Sequence, residues 1–327
     1  MKKVLVTGAS GLIGTNLVDA LLSQDEGCDV FEVSRKEGCD LLDKDLTKQI
    51  IEDFKPDVVY HLAANAAEAR GQISPIDMTE RNLNIFLNVL VPSINAGVKR
   101  FIYTSSVAVY GEIGVPYSED DIPNPKDVYG VNKLASEQIL KILSKVHNFD
   151  YTIFRPHNVY GPHQDMSNPY KNVVALIMRN LIEDKEITLF GEGKMKRAFS
   201  YVDDVVDVLV AGMSDEFKNQ TVNVGSTLET DIATLLKKIE KIAGKKAKVK
   251  NLPARPTEIW NFLASHKRQG MLFDYHETPL DEGLQKTWEF ITLPKIKEQE
   301  NEINNISQDI KIIDPEDAYY FTNRKGK

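Results

Sequence analysis

Thr7-Gly8-Ala9-Ser10-Gly11-Leu12-Ile13-Gly14 lies directly behind the apolar run Lys3 to Thr7 and directly ahead of Leu12 to Leu22, whose apolar residues recur at helical spacing. Glycines at 8, 11 and 14 permit a tight turn, close approach of backbone to a pyrophosphate, and close packing of the new helix on its strand. The free N–H groups and the dipole of a helix start then face negative charge. Strand, glycine turn and helix in that order open a dinucleotide-binding βαβ unit.

Outward from this stretch the alternation repeats. Short apolar runs at Val30 to Ser34, Val58 to Leu62, Phe101 to Thr104 and Tyr151 to Phe154 read as strands buried on both faces. Between them, Ile85 to Ile94 and Val128 to Val146 carry helical spacing, with Leu134, Ile139, Leu140 and Leu143 placed to share a face. The expected fold is α/β: a Rossmann-type doubly wound parallel sheet with a smaller C-terminal substrate-binding lobe. Residues 1–155, with returning segments near 187–225, should form the dinucleotide-binding domain and 156–292 mainly the second lobe. Past Arg155, Pro156, Gly161, Pro162 and Pro169 mark a long irregular connection before a helix at Val173 to Ile182. Ile187 to Phe190 and Thr221 to Val224 read as short strands, and Asp231 to Ala243 as a helix capped by Asp231 or Thr230. The tail, 293–327, carries Ile296, Ile303, Ile306, Ile310 and Ile313 at roughly heptad spacing, an amphipathic helix for the body or for a second subunit.

Composition narrows the function classes. With 42% hydrophobic and 27% charged residues in 327, the chain is an ordinary globular protein that can bury a real core. A net charge of -8 argues against a general nucleic-acid binder, because phosphate-backbone affinity needs a basic surface. Thr7-Gly8 stops the N-terminal apolar run short of a signal peptide, and no later run approaches a membrane span. Cys28 and Cys39 form no C-x-x-C pair and the six histidines no H-E-x-x-H motif, so a metal site lacks support and a reducing cytoplasm fits best.

The chemistry-bearing constellation is Tyr129-Gly130-Val131-Asn132-Lys133, with Ser106 upstream at a strand end. Four residues apart on a helix, Tyr129 and Lys133 share a face. An ammonium beside a phenol favours the phenolate, which moves the tyrosine toward the working range of a general base or acid. Ser106 can hydrogen-bond the same reacting oxygen. The acid expected about twenty residues past the glycines, to hold the adenosine ribose, is replaced by Ser34 followed by Arg35. Arginine there suits a 2′-phosphate, while Glu32 and Asp40 lie close by, so the residues alone leave NAD and NADP open.

In these motifs and their order, from Lys3 to about Leu284, the chain resembles the extended short-chain dehydrogenase/reductases, specifically the nucleotide-sugar epimerase/dehydratase group. The resemblance adds Asp40-Leu41 near adenine, His61-Leu62-Ala63-Ala64, Thr104-Ser105-Ser106-Val107-Ala108-Val109-Tyr110-Gly111 and Arg155-Pro156-His157-Asn158-Val159-Tyr160-Gly161-Pro162. It implies that Tyr129 is the base, that Lys133 also holds the nicotinamide ribose, and that Ser106 binds the sugar hydroxyl being oxidised. NAD contacts are implied for Gly8, Gly11, Leu12, Ile13, Gly14, Ser34, Arg35, Asp40, Leu41, Leu62, Ala63, Ala64, Tyr129, Lys133 and Pro156. Substrate contacts are implied for Ser106, Ala108, Asn158, Asn172, Val173, Arg197 and Arg255, the two arginines clamping a diphosphate in bidentate fashion. Threonine replaces the usual glycine in the motif that follows Arg255. Asp203-Asp204 read as turn-holding or helix-capping residues, and His157 and His163 as structural or substrate-orienting ones.

Within this group the fate of a 4-keto sugar depends on a few extra residues. Where the dehydratases resembled place an Asp-Glu pair after the strand-end Ser/Thr, this chain has Val107-Ala108; it also lacks the decarboxylases' loop glutamate and the 3,5-epimerases' loop cysteine. Simple 4-epimerisation of a UDP-linked hexose or its N-acetyl form remains, with an NADPH-dependent nucleotide-sugar reductase or another epimerase/dehydratase-family reaction as the alternative. A homodimer is the family expectation.

Overall fold

A computed structural model describes residues 1–24, 27–166, 172–254 and 260–293, leaving aside the side chains of residues 68–70. The strands β1 (Lys2–Thr7), β2 (Cys28–Val33), β3 (Val58–His61), β4 (Arg100–Thr104) and β5 (Asp150–Pro156) pair with Gln220–Val224 into one sheet. Its order is Gln220–Val224, β5, β4, β3, β1, β2, and every pairing is parallel. From β1 the chain pairs with β2 on one side and β3 on the other, so the order reverses there and a crevice opens at the carboxyl ends of β1 and β3. Ligands of doubly wound sheets bind at such a switch point.

Alternation along the strands sends side chains to two cores. Val4, Val6, Val58, Tyr60, Ile102 and Phe154 pack with Leu17 and Leu21 of α1 (Leu12–Leu22) and with Val205 and Leu209 of the helix Val202–Ala211. Leu5, Val59, Phe101, Tyr103 and Ile153 face the other way, onto Ile51 of α2 (Lys44–Phe54), Phe86, Val89 and Leu90 of the helix Ile85–Asn95, and Leu140 of the helix Val128–His147. Each such aliphatic side chain contributes about 1.5–3 kcal/mol when fully buried. This is why the strands read as continuous apolar runs.

Helix ends follow local chemistry. The Asp127 carboxylate accepts from Gly130 N at 2.8 Å and starts Val128–His147, which ends at Asn148 in the left-handed region, φ 55°. Asp231 caps Ile232–Ala243 through Thr234 N at 2.8 Å. Ahead of Ile85–Asn95 lies one π-helical turn, Glu80–Asn84.

A third core gathers Tyr160, Val174, Ile177, Met178, Leu181, Leu235, Ile239 and Leu284 under the helices Val173–Ile182, Ile232–Ala243 and Leu280–Thr292. Glu186–Phe190 pairs with Lys248–Leu252 at this core, while Val202–Ala211 and Gln220–Val224 return to the main sheet. The isoleucine-rich tail beyond 293 and Arg255 lie outside the described residues. Among the described residues, no helix is long and apolar enough to cross a membrane.

Candidate active site

At the switch point the glycine turn is closed against the end of β3. Gly8 has φ +73° and donates its N–H to Val33 O at 2.9 Å; a Cβ there would stand 2.7 Å from Ala63 N. A Cβ at Gly14 would stand 2.1 Å from Gly8 O, so only hydrogen lets α1 sit this deep. Gly11 caps α1 in extended backbone, and Leu12 and Ile13 form the first turn, whose N–H groups have no intrahelical acceptor. Leu62 and Ala63 are half-buried and Ala64 is exposed on the facing loop. Backbone donors, a helix start and a cradle that any side chain would fill fit a dinucleotide pyrophosphate.

Beyond β2, Ser34 is buried and hydrogen-bonded to the Glu37 carboxylate, while Lys36 N donates to Ser34 Oγ at 3.2 Å. Arg35 is exposed. Asp40, also exposed, accepts from Leu42 N at 3.0 Å, and buried Leu41 accepts at its carbonyl from Asn88 Nδ2 at 2.9 Å.

The structure brings the Ser106 loop against the Tyr129 helix. Ser106 caps the short turn Val107–Val109 by accepting from Ala108 N at 3.1 Å. Ala108 then packs with Met78 and Tyr129, and the missing Cβ of Gly130, which would lie 2.6 Å from Ala108 O, permits the approach. Lys133 is buried beneath. Its Nζ donates to Thr104 O at 2.7 Å and stands 4.8 Å from the Tyr103 ring centre and 5.7 Å from that of Tyr129. Burial pulls its amine down to about 7, against the opposing pull of Glu137. Ser105, next to Ser106, is already committed: its hydroxyl donates to Glu137 Oε1 at 2.6 Å.

Three supports have roles that the sequence reading did not assign. Glu137, one turn past Lys133, takes a forked pair from Arg155 at 2.6 and 2.9 Å, and Arg155 Nη1 donates to Tyr110 Oη at 2.8 Å. An arginine directly behind the buried apolar pair Ile153-Phe154 was the available signal. Asn82 in the π-helical turn holds the loop after β3: its Oδ1 accepts from Asn65 N at 3.2 Å and its Nδ2 donates to Asn65 O at 3.2 Å and Met78 O at 2.8 Å. His61, stacked on Tyr103 and hydrogen-bonded through Nδ1 to Thr7 Oγ1 at 2.9 Å, is kept neutral by burial, with a pKa of about 3.

In the second lobe, Asn158, at φ +40°, donates to Ala198 O at 2.9 Å. Asn172 accepts from Val174 N at 2.9 Å and donates to Val159 O at 2.6 Å, so it caps the helix that Val173 begins and ties it to the strand before. Arg197 lies over Phe262, its guanidinium carbon 5.7 Å from the ring centre, and donates to Lys196 O at 2.8 Å. Tyr110, Tyr117 and Phe262 form a run of ring contacts at 4.9 and 5.5 Å that leads from the Ser106 loop toward Arg197. Pro156 ends β5, buried. His157 is buried against His266, with Nε2 atoms 3.1 Å apart, and His163 packs on Phe290. Asp204 caps no helix end; it accepts from Thr278 N at 2.8 Å and from the Thr278 hydroxyl, pinning a later loop.

The family model of the NAD dependent epimerase/dehydratase family matches residues 4–225, which span the glycine cradle, Ser106, Tyr129 and Lys133. The chain belongs to that family. Its members use NAD, and the cradle accords with it. The chain is 31% identical over 308 residues to a UDP-glucose 4-epimerase of Mycolicibacterium smegmatis, covering 88% of this chain and 98% of that one. It is 27% identical over 276 residues to a UDP-N-acetyl-alpha-D-glucosaminuronate decarboxylase of Bacillus cytotoxicus, covering 77% and 84%. A crystal structure of UDP-glucose 4-epimerase with UDP-glucose from Thermotoga maritima superposes with a TM-score of 0.82 at 29% identity, over 88% of this chain and 98% of that one. The chain is thus an NAD-dependent enzyme of the epimerase/dehydratase family, with the α/β sheet expected of it.

Proposed function

We propose that this enzyme is a nucleotide-sugar 4-epimerase that works through a transient 4-keto sugar. The observation that carries the reading is the Ser106 loop, held against Tyr129 with a methyl group at Ala108 and no carboxylate at 107 or 108. Proton transfer at one hydroxyl is within reach of such a site. Elimination of water or loss of CO2 would call for further groups in the loop.

Tyr129 takes the proton of the sugar 4-hydroxyl and returns it after the ketone has presented its other face. Ser106 hydrogen-bonds the same oxygen, and Lys133, one helical turn from Tyr129, favours the phenolate electrostatically. Bound NAD supplies the acceptor and then the donor of hydride at C4. Arg197, with Arg255 as its partner, holds the diphosphate while the sugar turns, and Asn158, Asn172 and Val173 shape that side of the cleft. The backbone of Gly8, Gly11, Leu12, Ile13 and Gly14 receives the pyrophosphate. Exposed Val131, Ile142 and Val146 on one helix and Val91 on another support a homodimer.

Purified enzyme incubated separately with UDP-glucose, UDP-N-acetylglucosamine and UDP-glucuronate, followed by the anomeric and H4 proton signals, tests the reading. Expected is the 4-epimer of at least one sugar with no net change in NADH. Stoichiometric consumption of NADPH would make the enzyme a reductase, and a pentose product with released CO2 a decarboxylase.

A further inference from the structure

We propose that Phe262 is a positioning residue for the diphosphate of the substrate: it carries the Arg197 guanidinium on its ring and ties that arginine to the loop that bears Ser106. The proposal rests on the reading of Arg197 as a diphosphate ligand. Arg197 and Phe262 are register partners in the parallel pairing of Lys196–Ala198 with Asn261–Phe262, so the backbone sets their side chains next to each other. The guanidinium carbon stands 5.7 Å from the Phe262 ring centre, within reach of a cation–π attraction. Both side chains are half-buried, whereas Lys196, one position back along the strand, is exposed and by alternation faces the other way.

Phe262 also belongs to the Ser106 loop. Its ring meets that of Tyr117 at 5.5 Å with the planes 80° apart, and it packs on the cluster that holds Val107, Val109 and Tyr110 behind Ser106. Tyr117 is fully buried and fixed at its far end, where its hydroxyl donates to Gly111 O at 3.0 Å. Main chain repeats the connection. Lys196 N donates to Trp260 O at 2.9 Å on one side, while Tyr117 N donates to Leu263 O at 2.9 Å and Ser265 N to Tyr117 O at 2.7 Å on the other. Asn223 Nδ2 closes the arrangement by donating to Tyr117 O and to Ser265 O, at 3.2 Å each. Residues 260–265 thus strap the arginine's strand to the Ser106 loop, and Phe262 is the point where the strap meets the guanidinium. A long cationic side chain loses rotamer freedom when it grips an anion, and a ring already beneath it removes part of that loss.

Calorimetric titration with UDP tests this on the full-length protein, on Phe262→Leu, Phe262→Tyr and Arg197→Ala, and on the double variant of Arg197→Ala with Phe262→Leu. Leucine keeps an apolar side chain in the strand and removes the ring face, so it should weaken UDP binding about 3- to 10-fold. Tyrosine keeps the face and should stay within about 2-fold of the wild type. On the Arg197→Ala background the leucine substitution should cost nothing further, a cancellation that a merely structural role would not produce. Unaltered UDP affinity in Phe262→Leu, beside a weakened Arg197→Ala, overturns the proposal and leaves the arginine's role standing. So does an equal loss on both backgrounds, or a tyrosine variant as weak as the leucine one, since either assigns Phe262 to the fold alone. Unchanged affinity in Arg197→Ala removes the arginine from the diphosphate site and the proposal with it, a distinguishable result.

Discussion

The Glu137 carboxylate receives a forked pair of hydrogen bonds from the Arg155 guanidinium, 2.6 and 2.9 Å long, and both side chains are almost wholly buried. Ser105 and Tyr110 complete the shell, and Tyr110 passes the chain on to Asn223 Oδ1 at 2.7 Å. The network fastens the end of β4, the Tyr129 helix, β5 and the last strand of the sheet. Glu137→Ala leaves a buried guanidinium without its counter-charge. We expect it to lower unfolding free energy by about 3–5 kcal/mol in urea titrations, with Glu137→Gln costing visibly less. Equal stability of the alanine variant and wild type would show the pair to be dispensable.

Gly14→Ala puts a methyl group 2.1 Å from the Gly8 carbonyl oxygen. Either α1 moves out or the glycine turn opens, at a cost of about 1–3 kcal/mol. NAD affinity measured by calorimetry should drop with it, because the first-turn N–H groups leave their place.

Tyr129→Phe removes only the hydroxyl from a residue packed between Met78 and Ala108. Turnover should fall about 10²- to 10⁴-fold, the usual worth of a positioned acid–base group. Bound NAD and the urea midpoint should hardly change. Full turnover in this variant would take Tyr129 out of the chemistry.

Lys133 yields a pH dependence of stability with a definite sign. Its amine is pulled down to about 7 in the fold, whereas in the unfolded chain it keeps its ordinary value near 10.5. Between these values the unfolded chain binds the proton and the folded one does not, so this group makes stability rise with pH across that window. Lys133→Met should abolish that slope in nucleotide-free protein and remove catalysis at the same time. Urea melts at pH 7 and pH 9.5 measure it; an identical slope in the variant would assign the effect elsewhere.

Three histidines act at the other end of the scale. His61 and His157 are held at about 3 and His266 at about 4, each chiefly by burial, against 6.5 when free. Below 6.5 the unfolded chain takes up protons that the fold refuses, so stability should drop steadily as the solution is acidified. His157→Gln should reduce the loss by about 1.4 kcal/mol per pH unit between 6 and 4. Parallel acid titrations of the two proteins would contradict this.

Much of the fold was legible because the sheet is covered on both sides. Leu5 and Val6 point into different cores, yet both are fully buried, so the strand reads as one apolar run and the glycine turn marks where it must end. Tyr129 and Lys133 were legible as a pair because helical spacing alone sets them on one face. What stayed hidden depends on contacts across the chain. Glu137 and Arg155 lie 18 residues apart on a helix and a strand, and nothing local pairs them. Ser34 stands where an acid was expected, but the turn that hydrogen-bonds it to Glu37 shows only in three dimensions. Asn172 was legible as a polar residue before a helix, whereas its second bond to Val159 follows from how that helix lies.

The glycine turn is tied to the carbonyl of Val33 and closed in by the backbone of Ala63, so its walls are main chain belonging to the sheet itself. A receptor walled by the main chain of core strands has little freedom to rearrange around its guest. Capture in a stopped-flow mixer should therefore be a single second-order event, its observed rate climbing in proportion to nucleotide concentration without levelling off. Loss of the guest would then be the slow clock that sets how long each molecule stays charged.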